Sequence, residues 1–176
     1  GEARMNSEPG KPVVAPSAWV GADLRSSESW IYELSQTQLN ELDKALQAVD
    51  ATGLDAPVIT KEHFPLPTLS KTIADLAHEV EEGRGFQILR GIPVEKYNYQ
   101  QMRRLFWGIG LHFAKPWPQT KDGDWFIDVR DEGKNYDENA RGYHSTSELR
   151  YHTDGTNMVA LLCLQKAREG GESSIV

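Results

Sequence analysis

The 176 residues suffice for one domain-sized core, and with 39% hydrophobic residues, five Trp, six Tyr and five Phe they are too apolar for a globally disordered chain. Acidic side chains outnumber basic ones 26 to 19, a formal charge of −7, which speaks against a nucleic-acid partner gripped through a basic stripe. No stretch reaches the roughly 18 apolar residues a membrane span needs, and one cysteine cannot close an internal disulfide, so a cytoplasmic protein without a membrane partner is expected.

Residues 1–17 carry Pro9, Pro12 and Pro16 among small polar side chains and read as an extended arm with no visible signal peptide. The first methionine, Met5, is the expected native start, and residues 18–176 are expected to form one domain. Trp19 and Trp30 are placed to pin the arm to the body. Ser35 with Gln38 forms a capping box, and Leu39, Leu42, Leu46 and Val49 recur at helical spacing up to Gly53, which offers a left-handed stop. Phe64-Pro65-Leu66-Pro67 should be extended, because each proline disfavours helix in the residue before it. A second helix is expected from Ser70 to Glu82, with Ile73, Leu76, Ala77 and Val80 inward and Gly83 at its end.

Phe86 to Leu89 reads as a short strand ended by Gly91-Ile92-Pro93. A third helix should start near Asn98 with Tyr99, Met102, Leu105, Phe106 and Ile109 inward, fraying at Gly108 and Gly110. Trp125 to Val129, Leu149 to Asp154, Met158 to Leu164 and Ser173 to Val176 read as strands, and Asp131 to Ser147 as a long polar loop of the kind that often carries function. Cys163, inside an apolar run, is expected to be a buried structural thiol. Helices first and strands last make the class α+β.

The chemistry concentrates in Tyr151-His152-Thr153-Asp154-Gly155. In a strand, residues i and i+2 share a face, so His152 and Asp154 would project together. One imidazole beside one carboxylate supplies two corners of the 2-His-1-carboxylate set that suits Fe(II). Alone the pattern is weak, since His-x-Asp arises by chance in a chain with five His, and a surface His beside a solvated Asp is the plainer reading.

Several segments in order change that balance. Gly83-Arg84-Gly85-Phe86-Gln87-Ile88-Leu89-Arg90-Gly91-Ile92-Pro93, the His152-Thr153-Asp154 motif, the run Met158 to Leu164 and the turn Gly170-Gly171-Glu172-Ser173-Ser174 together resemble the TauD/TfdA family of Fe(II)/2-oxoglutarate-dependent dioxygenases. The resemblance implies a double-stranded β-helix (jelly-roll, clavaminate synthase-like) with N-terminal helices, its barrel incomplete in this chain. It implies Fe(II) and 2-oxoglutarate as cofactor and cosubstrate, and O2 and a small organic molecule as partners. Carried over position by position, His152 and Asp154 would be iron ligands, and the Ser173 hydroxyl would hydrogen-bond 2-oxoglutarate; its plainer reading is a turn-stabilising hydroxyl. An intact carboxylate at Asp154 implies hydroxylation, because halogenating members carry a small residue there.

Trp117, Gln119, Tyr151 and Asn157 are softer candidates for the substrate pocket, against core or rim packing for the two aromatic residues. His63, His78 and His112 read as ordinary structural histidines, and His144 lies in the loop before the motif. The family completes its site with a later His and an Arg, and no His follows His152, so the chain is expected to be the N-terminal part of a longer parent. Such a piece would be inactive alone and would pair with the rest of its parent or form a homo-oligomer. A non-catalytic binding module on the same scaffold is the alternative. A metal-dependent hydrolase using His144 ranks below it for want of a general base.

Overall fold

The fold comes from a computed structural model that describes residues 9–129, 151–170 and 172–175. Its elements in chain order are helix α1 (Gly21–Arg25), strand β1 (Ile31–Glu33), helix α2 (Gln36–Thr52), a 3-10 turn at Lys61–His63, helix α3 (Leu69–Glu81), strand β2 (Ile88–Arg90), a second 3-10 turn at Val94–Lys96 and helix α4 (Tyr99–Phe113). The chain divides into two compact units, Gly1–Lys115 with Ala160–Val176, and Pro116–Val159.

Local signals set the helix ends. The Ser35 hydroxyl accepts the Gln38 N–H while Gln38 Oε1 accepts the Ser35 N–H, so the expected capping box closes α2 at its start. Gly53 ends α2 at φ 70°, a conformation that costs glycine little. Asn98 and Gln101 form the same reciprocal pair ahead of α4. Helix α3 lacks a cap from its own residues. Glu41, reaching across from α2, accepts the backbone N–H groups of Thr68 and Leu69 and the Thr68 hydroxyl, which satisfies two donors that helix geometry leaves free.

The core lies among these helices. Leu42, Ala45, Leu46 and Val49 of α2, Leu69, Ile73 and Ala77 of α3, and Met102, Leu105, Trp107 and Ile109 of α4 are buried, with Ile59, Phe64 and Leu66 of the α2–α3 connection. Burying such side chains stabilises the fold by about 1.5–3 kcal/mol each. Helix α4 packs on α2, on α3 and on the Lys61–His63 turn, so it buries a wider arc than a helix with one neighbour. This explains why Trp107, absent from the expected inward set, is buried, its indole N–H donating to the Ile59 carbonyl at 2.9 Å. Tyr99, expected inward, is exposed at the first turn with its ring against Arg103. Gly108 does not fray the helix, which continues to Phe113. It is a packing glycine, for a Cβ there would lie 2.4 Å from the Phe64 ring.

Polar bonds tie the same layer together. Asp43 on α2 accepts from Lys96 Nζ and the Tyr97 hydroxyl, and Asp50 accepts from Gln101 Nε2 and Arg104 Nη1 on α4. His112 Nε2 donates to the Phe64 carbonyl at 2.8 Å, and His63 Nδ1 accepts the Thr60 N–H, both structural as expected.

Strand β1, which the sequence reading did not contain, pairs in parallel with β2, Ile31 opposite Ile88 and Glu33 opposite Arg90. The expected strand over 86–89 is displaced toward 88–90 because its first residues have other work. Phe86 packs edge-on against Trp19 and tilted against Trp30, and Gln87 Nε2 donates to the Trp30 carbonyl. Trp19 Nε1 also donates to the Arg84 carbonyl, so the two tryptophans tie the N-terminal segment to this turn.

The later strands differ from expectation. Residues 125–129, 151–154, 158–164 and 172–175 form no strand, and the sheet observed among the described residues has two strands. The physical reason is that a period-2 pattern becomes a strand only where a second segment supplies its N–H and C=O partners. Cys163 is accordingly exposed, not buried, since no layer of the described residues packs over it. Leu149, Arg150 and Val176 lie outside the described residues, as do the loop 131–147 and His144. No helix among the described residues is long and apolar enough to cross a membrane.

Candidate functional site

His152 and Asp154 belong to the unit Pro116–Val159, on a stretch without regular structure that runs into a bend at 155–157. His152 Nε2 lies 3.9 Å from Asp154 Oδ1, with the side chains 50% and 56% exposed. The sequence expectation that the two project together therefore holds in geometry, although the strand that was to enforce it is not formed. A nitrogen and a carboxylate oxygen at that separation, neither locked in a core, can turn toward one shared ion. They are the donor types of two of the three protein ligands in a 2-His-1-carboxylate set. Among the described residues no group of three His, Cys, Asp or Glu side chains gathers at one point.

The same unit holds a tight turn built by its own polar atoms. The Gln119 N–H donates to the Asp124 carbonyl at 2.6 Å, Thr120 Oγ1 donates to Asp124 Oδ2 at 2.7 Å, and the Asp124 N–H returns to Thr120 Oγ1 at 3.1 Å. Gln119 turns its amide back onto the Trp117 carbonyl at 2.8 Å. Trp117 and Tyr151 are 74% and 70% exposed, and Asn157 is exposed in the bend after the His-Asp pair. Of the plainer alternatives for the two aromatic residues, core packing does not hold, and their exposure leaves rim packing as the plainer reading. Ser173 is exposed and belongs to the other unit, after Gly170 at φ 70°.

Among the described residues the ionisable groups drawn away from their ordinary values are Glu41, Asp43, Glu62 and Tyr97, in the helical layer and its connections. Partial burial pushes the Glu41 carboxyl up, but the hydrogen bonds from Thr68 and Leu69 outweigh it and hold the group below its ordinary value. Hydrogen bonds from Lys96 and Tyr97 hold Asp43 down, and burial with the Asp43 bond pushes the Tyr97 hydroxyl well above its usual range. Shifts of this kind can mark catalytic groups. Here those of Glu41, Asp43 and Tyr97 follow from bonds that join one element to the next and mark the joints of the fold, while Glu62 is held down by bonds within its own turn, from Thr60 first.

Residues 30–176 match the family described as "Taurine catabolism dioxygenase TauD, TfdA family". The FR-33289 synthase of Streptomyces rubellomurinus is 30% identical over 164 residues, which cover 92% of this chain and 48% of that protein. The taurine hydroxylase-like protein SAT17 of Stachybotrys chartarum is also 30% identical over 164 residues, covering 89% of this chain and 43% of that protein. The chain thus spans about half the length of the curated relatives it matches.

Proposed function

The chain belongs to the TauD, TfdA family of taurine catabolism dioxygenases, and on that premise we propose that it is the N-terminal part of a Fe(II)/2-oxoglutarate-dependent dioxygenase that hydroxylates a small organic substrate. The observation that carries this reading is the 3.9 Å approach of His152 and Asp154 inside the matched region. In the full polypeptide residues 18–176 would form the first part of one double-stranded β-helix domain, its later strands supplying the pairing that 151–175 lack here.

Within that reading each residue has a defined task. His152 binds through a neutral imidazole nitrogen and Asp154 through an ionised carboxylate, because a metal ligand must be deprotonated. One nitrogen and one anionic oxygen would supply two of the three protein ligands of such a set, the third coming from the later part of the full polypeptide. When bound, Fe(II) with 2-oxoglutarate and O2 supplies the oxidising chemistry, which yields succinate, CO2 and a hydroxylated product. The Ser173 hydroxyl donates a hydrogen bond to a carboxylate of 2-oxoglutarate, a charge-assisted contact stronger than a neutral one. Trp117 and Tyr151 offer apolar faces to the substrate, and Gln119 and Asn157 offer amides that orient it.

The test uses the full-length polypeptide, purified without metal and titrated with Fe(II) in the presence of 2-oxoglutarate. Stoichiometric Fe(II) binding and 2-oxoglutarate-dependent succinate formation are expected, both lost in His152→Ala. If Fe(II) binds equally well to wild type and to His152→Ala, the pair is not a metal site. A full-length protein that consumes no 2-oxoglutarate with any substrate, yet binds a small molecule through Trp117 and Tyr151, would favour a binding module instead.

A further inference from the structure

We draw no further inference here: the strongest candidate, the shallow surface cavity between the N-terminal segment and the end of α3 lined by Trp19, Asp23, Trp30, Glu79 and Arg84, carries nothing, because its two indole N–H groups and the Arg84 guanidinium are already bonded within the chain and nothing in the structure shows what would occupy it.

Discussion

Val49, Phe64, Leu69 and Ile73 in the helical layer have no exposed surface, whereas Tyr151, Leu161 and Ile175 in the last part of the chain are 70%, 83% and 56% exposed. Both stretches are apolar enough to be buried. They differ in where their backbone hydrogen bonds come from. A helix closes its bonds within four residues and needs a neighbour only for its apolar stripe, which α2, α3 and α4 supply to one another. An extended segment must obtain every bond from a distant part of the chain. The lesson is a division of labour: one region holds stability in closely fitted side chains, while the other carries the proposed site on exposed ones. Substitutions in the first should cost stability and spare ligand binding, and substitutions in the second should do the reverse.

The largest effect is expected at Asp154. In the full-length polypeptide Asp154→Ala should lower 2-oxoglutarate-coupled hydroxylation by at least about a hundredfold, since it removes a proposed ligand. In this chain by itself, the same substitution should leave the folding free energy within about 0.5 kcal/mol of wild type, because the Asp154 side chain is 56% exposed. Near-normal coupled succinate production would remove Asp154 from the site, and a large loss of stability would break the division itself.

Phe64→Ala probes the other region. The ring is fully buried against Gly108, and its removal should cost about 3–5 kcal/mol in denaturant unfolding. Gly108→Ala should cost about 1–3 kcal/mol, because the new Cβ meets that ring. Combined, the two should cost less than their sum, the alanine at 108 occupying space the ring has left. Strict additivity would show that Gly108 does not act through Phe64.

Ser173→Ala should weaken 2-oxoglutarate binding by about 1.5–3 kcal/mol, roughly a ten- to hundredfold rise in Kd, with unfolding unchanged. An unaltered affinity in a calorimetric titration would return Ser173 to the plain role of a turn hydroxyl.

The smallest effect, and the one that sharpens the comparison by pH, lies at Glu41. Replacement by Gln removes the carboxylate that caps α3 and should cost about 1 kcal/mol at neutral pH. The folded carboxyl is held below its ordinary value, so its stabilisation is complete above the unfolded pKa and is lost as pH falls through the folded one. The difference between wild type and Glu41→Gln should therefore be full at pH 7, shrink below about pH 4 and then vanish. A difference that persisted unchanged to pH 2 would mean that the cap does not depend on the ionised carboxylate.

Much of this protein was legible before its structure. The capping box at Ser35, the helix start near Asn98, the left-handed stop at Gly53, the buried positions from Leu42 to Val49 and the shared side of His152 and Asp154 all follow from spacing and residue type. The ordered run of segments that resembles a dioxygenase family was equally a property of the one-dimensional chain, and the family match over residues 30–176 agrees with it. All of these are local: each depends on atoms within about four residues along the chain, or on the order of motifs in it.

Contacts between residues far apart in sequence were decided only in three dimensions. Glu41 caps a helix 27 residues away, Trp107 and His112 each bond a carbonyl 48 residues away, and Gly108 is a glycine because of a ring in another segment. Strand β1 exists because β2 lies beside it, and Cys163 in the apolar run 158–164 stays exposed because no layer of the described residues covers it. No periodicity can announce such partners, since hydrophobic spacing states which face a segment would bury and leaves open what, if anything, arrives to bury it.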